Sequence, residues 1–287
     1  MPSHIFTRTG AWRESIESNR ASARTGTDRT FDKWHAYDYM VYAHLQLGED
    51  AAAGQVVTEA MGNSARIDHI GTAYAYAAMP ARMALERGDW KTAAELPLAP
   101  ADFPWAKYPM AESLNAFARG IGAAMSGNGT AARTEIARLE KLRDVAASRK
   151  LGYWAGEIDV QANVVRALTS CAEGSKAPCL AALRAAADRE DGIEKHAVTP
   201  GRLVPAREVL AYAMLDAGDS AGALREFEKT LEREPNRLRI YAGASRAAQS
   251  AGNPGKASEY DRKLRDLTRT ADAGLQDRVA ARQLSQR

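Results

Sequence analysis

One frame of residues occurs twice in this chain at a fixed offset. The pattern of Met-Pro, seven residues, Gly, one residue and Trp begins at Met1 and again 78 residues later at Met79. Self-similarity at a fixed offset is typical of repeat arrays, in which each unit packs mainly on its neighbours. Because Met79 lies inside an apolar stretch of helical periodicity, residues 70–85, Met1 is also expected to lie within a helix. The chain is therefore expected to begin inside a larger architecture, whose N-terminal part is missing from this sequence.

The periodicity of the apolar residues predicts an all-α protein. Apolar residues recur at i, i+3 and i+4 along almost the whole chain, and Gly, Asn, Asp and Pro interrupt them at helix-length intervals. No segment shows the alternation expected of a strand. We therefore predict antiparallel helix pairs stacked as an α-solenoid.

The clearest unit runs from Val204 to Pro235. Leu210 and Ala211 lie in its first expected helix, Gly218 in the turn, and Ala223 and Phe227 in its second expected helix. The four helix residues are small or apolar, as the expected helix contacts require. The next unit repeats the frame, because Gly252 follows Gly218 by 34 residues and Ala257 follows Ala223 by 34. Glycine permits the tight turn, alanine permits close helix packing, and Pro235 ends the unit.

This 34-residue helix–turn–helix unit resembles the tetratricopeptide repeat (TPR) family. The resemblance is specific over Val204 to Leu267 and weaker upstream, where turn glycines recur at intervals of 38–40 residues. It implies a right-handed array over residues 1–267, followed by a polar capping helix or tail over 268–287, in which only Leu275, Val279 and Leu284 show helical periodicity. The units are expected to turn near Gly10, Gly48, Gly88, Gly127, residues 172–178, Gly218 and Gly252.

Composition excludes some classes of partner. The net charge of +3 comes from 39 basic and 36 acidic residues that are interspersed, which argues against a nucleic-acid surface. No apolar run approaches the roughly 18–20 residues that span a bilayer. Since no signal peptide is recognisable, the default expectation is a cytoplasmic protein.

The two cysteines, Cys171 and Cys179, are expected at the facing ends of two antiparallel helices. There they would either form a disulfide bond or remain two unpaired, small apolar residues. A disulfide, together with a missing upstream segment, would instead indicate an exported or periplasmic protein.

The TPR resemblance also implies where a partner would bind. In that family the first helix of each unit lines a concave groove, at positions 13, 10, 6, 3 and 2 residues before the turn glycine. Counted back from Gly10, Gly48 and Gly88, these positions include eight polar candidates for a groove site: His4, Arg8, His35, Asp38, Tyr42, Gln46, Arg82 and Glu86. Such side chains grip peptide backbones and carboxylates, although polar residues also belong on any solvent-exposed groove.

A metal site is a second interpretation of the histidines. His4, His35 and His196, with Asp38 as a carboxylate ligand, would have to converge from separate units. None of these histidines has the i, i+4 spacing of a helical metal pair, so we expect groove histidines and no metal or cofactor. The common catalytic motifs are also missing, and we expect no enzyme activity.

The resulting functional prediction is a protein-interaction scaffold that binds an extended peptide or partner protein in its groove. The alternative is a small-molecule or metal-binding, possibly enzymatic, helical domain in which the Phe103-Pro104-Trp105 loop and the loop from Glu194 to Val204 cover the groove. A third hypothesis is self-association through apolar residues near the start of the chain, namely Ile5, Phe6 and Trp12.

Overall fold

The computed structural model describes residues 2–26, 30–197 and 199–275, and over these residues the chain contains helices and no strands. The fold is an α-solenoid, as the apolar periodicity predicts. The fourteen α-helices are α1 (Pro2–Thr9), α2 (Trp12–Thr25), α3 (Asp32–Gln46), α4 (Asp50–Gly62), α5 (Ile70–Arg87), α6 (Trp90–Glu95), α7 (Pro109–Met125), α8 (Gly129–Ser148), α9 (Gly152–Ala172), α10 (Lys176–Asp191), α11 (Ala206–Asp216), α12 (Ser220–Arg233), α13 (Leu238–Ser250) and α14 (Pro254–Leu267). None of them combines the length and apolar composition needed to cross a membrane.

Successive helices form pairs, and a glycine with positive φ lies in the turn of each pair. The φ angles of these glycines run from 62° to 91°, in the left-handed region that side chains with a Cβ rarely adopt. In chain order they are Gly10, Gly48, Gly88, Gly127, Gly174, Gly218 and Gly252.

The connection between α6 and α7 is irregular because three prolines interrupt it. Phe103 and Trp105 are buried there, and the Trp105 indole N–H donates to the carbonyl of Pro100 at 2.8 Å. A short 3₁₀ helix, Trp105–Lys107, follows. This loop packs beside α5 and α7, and its aromatic side chains hold it in place.

The two cysteines form a disulfide bond across the turn between α9 and α10. Their Cα atoms are 5.3 Å apart, within the usual range for this bond. Of the two alternatives that the sequence left open, the structure has the disulfide bond.

The array closes on itself, which an open solenoid would not do. The Trp12 indole N–H donates to the carbonyl of Asn236 at 2.7 Å, and the Asn236 amide donates to the carbonyl of Gly10 at 3.2 Å. Trp12 is thus buried rather than exposed, whereas Ile5 is 66% exposed. Rotation from pair to pair accumulates along a solenoid, and here it brings the first pair against the last.

The segment after α14 adds to this closure. Residues 268–270 and 273–274 form turns, and the Asp272 N–H donates to the carbonyl of Gly48 at 3.1 Å. Leu275 is buried against the turn at Gly48. The rest of the expected cap, with Val279 and Leu284, lies outside the described residues.

Candidate functional site

The eight predicted groove residues face one interior, but most of them are buried. Six are at most 8% exposed: His35, Asp38, Tyr42, Gln46, Arg82 and Glu86. The other two, His4 and Arg8, are partly buried. The expectation of a solvent-exposed groove at this end of the array is therefore wrong, because other parts of the same chain fill it.

One of these parts is the connection between α10 and α11, residues 193–197 and 199–205, which we call the inner segment. Arg8 donates to the carbonyls of Lys195 at 3.3 Å and His196 at 2.7 Å. Arg82 donates to the carbonyls of Gly201 at 2.7 Å and Arg202 at 3.2 Å. Two predicted groove arginines thus hold the inner segment at two places through its backbone.

Arg82 is itself fixed by two neighbours. Its Nε donates to Asp38 Oδ1 at 3.1 Å, and its guanidinium lies 4.5 Å from the centre of the Tyr42 ring. Burial raises the pKa of Asp38, and the charge of Arg82 opposes that shift. A buried arginine that is held by a carboxylate and an aromatic ring in this way is a rigid donor for carbonyl groups.

The second part of the chain that fills the groove is the start of α13. Arg237 donates to Glu86 Oε1 at 2.7 Å, Glu208 Oε2 at 3.0 Å and the Tyr42 hydroxyl at 2.9 Å. Its side chain is fully buried. Burial would lower the pKa of Arg237, but Glu208 and Glu86 raise it well above its usual value. This buried network joins the early helix pairs to the late ones.

Three further hydrogen bonds complete the closure. Arg239 donates to Glu208 Oε1 at 2.6 Å and to the carbonyl of Leu85 at 3.1 Å. The side-chain oxygen of Gln46 accepts from the backbone N–H of Leu238 at 3.0 Å. Residues at groove positions of the early units, Gln46 and Leu85, are therefore bound by residues of the last unit, Leu238 and Arg239.

The histidines do not assemble into a metal site. His4 and His35 place their Nε2 atoms 3.0 Å apart, which fits a hydrogen bond between two neutral rings. Burial, followed by the charge of His4, lowers the pKa of His35 to about 4. The His196 ring packs instead on Tyr153 and Trp154, with ring centres 5.3 and 4.8 Å away. In the part of the chain that the structure describes, no three His, Cys, Asp or Glu residues could hold one metal ion.

A cleft remains open beside the inner segment, between α7 and α9. It contains about 610 Å³ of empty space, part of which is open to solvent. It is lined by apolar, aromatic and polar side chains, among them Leu114, Phe117, Ile158, Val164, Leu203, Tyr74, Tyr153, Trp154, Gln161, Glu157, Glu190, Lys195, His196 and Arg202. A neighbouring pocket, lined by His35 and Asp38, shares Tyr74, Trp154, His196 and Thr199 with it.

The charged side chains that line the cleft are paired within the chain. Arg202 donates to both oxygens of Glu157, at 2.7 and 3.1 Å, and lies 3.3 Å from Glu190 Oε1. The Lys195 ammonium lies 2.9 Å from Glu234 Oε2. These pairs anchor the inner segment from its other side.

We expect replacement of Glu190 by glutamine to change how stability depends on pH. Burial raises the pKa of Glu190 from 4.5 to about 8, and Glu157 and Glu234 act in the same direction against Arg202. The folded state thus keeps a proton that the unfolded chain has released, so this carboxyl stabilises the fold at low pH. That contribution is lost as the pH rises through about 8.

Urea unfolding of wild type and Glu190→Gln at pH values of about 5, 7 and 9 measures this effect. The stability of the wild type relative to the variant should fall from pH 5 to pH 9. All other titrating groups are common to both proteins, so a difference that stays constant with pH would contradict the shifted pKa.

Several residues of the interior were not among the eight candidates, although the same positional count finds them. Thirteen and ten residues before Gly127 are Leu114 and Phe117, and the same steps before Gly174 reach Gln161 and Val164. Glu208 lies ten residues before Gly218, and Arg239 lies thirteen before Gly252. The inner segment, with Lys195 and Arg202, has no such signal, because it lies between units.

Comparisons with known proteins give little further information. No protein-family model matches the chain, and no curated protein matches it. A crystal structure of a tetratricopeptide repeat protein from Parabacteroides merdae is similar to it, with a TM-score of 0.46 and 13% sequence identity. That similarity covers 98% of this chain and 95% of the other. The description of the fold therefore depends on the helices themselves.

Proposed function

We propose that the protein is an interaction scaffold that resembles TPR proteins and binds an extended segment of a partner protein in its groove. The role is binding rather than catalysis, and the partner's segment would take the place that the inner segment occupies in this structure. His4, Arg8, His35, Asp38, Tyr42 and Arg82 would line that place, and Gln46 and Glu86 would continue the groove towards the start of α13, which they bind.

One observation carries this proposal: the groove already holds a peptide segment by its backbone. Arg8 and Arg82 bind four carbonyl oxygens of the inner segment, at residues 195, 196, 201 and 202. Every peptide presents such carbonyls, so these contacts recognise an extended backbone rather than one particular sequence. Because Arg82 is fixed by Asp38 and Tyr42, little conformational entropy is lost when a segment binds.

The inner segment also explains how access to the groove would be controlled. A partner's segment has to compete with a covalently attached one, whose effective concentration is high. Loosening the inner segment without touching the groove arginines should therefore strengthen binding. Arg202 is the suitable position, since its bonds to Glu157 and Glu190 anchor the segment on the far side.

The test uses a labelled synthetic peptide with the sequence of residues 193–205 and fluorescence anisotropy. We expect Arg202→Gln to bind this peptide at least about tenfold more tightly than wild type does. Adding Arg8→Gln should reverse the gain by about tenfold, because a charged donor to two carbonyls is removed.

The matched control is Arg20→Gln in the Arg202→Gln background. Arg20 is a partly exposed arginine that pairs with Glu59 on the outer face, 3.1 Å away, so its removal should leave peptide affinity unchanged. Equal affinities with and without Arg8, or no binding by Arg202→Gln while its helical circular dichroism is intact, would contradict the proposal.

A further inference from the structure

His4 of α1 and His35 of α3 bind each other directly through their rings. Their Nε2 atoms lie 3.0 Å apart, so one ring donates a hydrogen bond and the other accepts it. Tyr39 packs on both rings, with ring centres 5.0 Å from His4 and 4.9 Å from His35. Two protonated imidazole rings have only donors, so a second proton would break this bond and place two like charges in contact.

Further groups around the pair disfavour protons on it. Phe31 contacts the ring of His35 and stacks on His69 at the start of α5, with ring centres 6.1 and 3.9 Å away. Burial is the largest cause that lowers the pKa of His35, and the charges of His4 and His69 add to it. Burial also lowers the pKa of His4, and Arg8, one turn later on the same helix, acts in the same direction.

Carboxylates do little to offset these effects. Asp32, at the start of α3, raises the pKa of His35 against the larger effect of burial. Asp38 lines a pocket together with His35, but its carboxylate already binds Arg82 at 3.1 Å. In the described residues no carboxylate raises the pKa of His4. The docked position of α1 on α3 therefore favours neutral rings.

The other elements beside the pair meet it through hydroxyl groups or a further histidine. α2 holds α1 by a hydrogen bond between the hydroxyls of Thr7 and Ser15, which lie 2.7 Å apart. The inner segment brings His196 to the pocket that His35 lines, and burial lowers the pKa of His196 as well. Histidines from α1, α3, the start of α5 and the inner segment thus lie in one region.

Acid should therefore destabilise the docked position of α1. The pKa of His35 is lowered from 6.5 to about 4, mainly by burial under neighbouring elements. When α1 moves away from α3, the same ring meets water and takes up a proton near its ordinary pKa. Protons thus bind the undocked form more readily. The docked form is fully stabilised above pH 6.5 and loses stability as the pH falls from there towards 4.

The helix that this pair holds also carries Arg8, which donates to the carbonyls of Lys195 and His196 at 3.3 and 2.7 Å. We propose that the contact between His4 and His35 is an acid-sensitive latch, which holds α1 and, through Arg8, the inner segment, and which weakens as the pH falls below about 6. Its role in controlling access to the groove rests on the proposed function. The latch itself needs no partner.

Hydrogen exchange of the backbone amides of α1 tests the latch without any peptide. Protection, corrected for the intrinsic exchange rate, is measured by mass spectrometry at pH values of about 7.5 and 5. In the wild type we expect the protection of residues 2–9 to fall at pH 5 by at least about tenfold relative to that of α7. In His35→Gln, whose amide still forms a hydrogen bond with His4 but does not titrate, the fall should be at most about threefold.

The matched control is His44→Gln, at another buried histidine of α3. His44 binds Glu49 at 2.7 Å rather than α1, so this variant should keep the full acid effect of the wild type. Equal falls in α1 and α7 of the wild type, or an equally large fall in His35→Gln, would overturn the latch. If His35→Gln loses its helical circular dichroism, the comparison of α1 with α7 in the wild type and in His44→Gln decides alone.

The two proposals fail separately. Exchange of α1 is measured without peptide, so an absence of peptide binding would count against the proposed function and leave the latch as it is. Peptide binding at neutral pH with no effect of acid on α1 would overturn the latch alone.

Discussion

Replacing Arg237 with methionine should lower the free energy of unfolding by about 3–5 kcal/mol, because it leaves buried charges without a partner. Arg237 is fully buried and binds Glu86, Glu208 and Tyr42. Methionine replaces most of its volume but none of its hydrogen bonds. Glu208 would keep only Arg239, and Glu86 would lose the ion pair that links α5 to α13. Urea unfolding followed by circular dichroism measures the loss.

The control is Arg246→Met in α13, the helix that Arg237 precedes. Arg246 pairs with Asp216 at 3.5 Å where both side chains are partly exposed, and a pair of this kind contributes at most about 1 kcal/mol. Adding Glu86→Gln to Arg237→Met should recover part of the stability, since it removes the uncompensated charge. If Arg237→Met costs no more than Arg246→Met, the network does not close the array in solution.

Replacing Trp12 with alanine should cost about 3–5 kcal/mol, the range for deleting a buried large aromatic side chain. Trp12 is 3% exposed and lies edge-on to Tyr42, with ring centres 5.2 Å apart. Its indole N–H also holds the carbonyl of Asn236. The substitution therefore opens a cavity at the contact between the first and last helix pairs. Circular dichroism should follow the unfolding, because removal of a tryptophan changes the fluorescence.

Trp12→Phe separates packing from hydrogen bonding at this position. It keeps the contact with Tyr42 and loses the bond to Asn236, so it should cost roughly 1–2 kcal/mol less than the alanine variant does. A Trp12→Ala protein as stable as wild type would mean that the first pair does not pack on the last.

The helix pairs could be predicted from the sequence because their signals are local. A glycine between two apolar periodic segments requires only a few neighbouring residues to be interpreted, and the helices confirm the predicted all-α solenoid. The geometry of the disulfide is also local, since Cys171 and Cys179 are eight residues apart, but the sequence left open whether the bond forms. Both features depend on chain geometry over one helix pair.

That the groove is filled by other parts of the chain could not be predicted in the same way. The ion pair between Glu86 and Arg237 joins residues 151 positions apart, and Arg8 reaches carbonyls 187 and 188 positions away. Whether such residues meet depends on the curvature accumulated over several units, and no local pattern reports that curvature. Positional counting therefore found the residues that face the interior, but not their burial by the chain itself.

Closure also removes a freedom that open solenoids have. In an open array a unit can be duplicated or deleted, and the remaining units keep their contacts with their neighbours. Here one extra pair between Glu86 and Arg237 would displace the two ends of the network by a full unit. The number of helix pairs is therefore fixed by the contact between the first and last pairs. We expect that inserting or deleting a single pair breaks this contact.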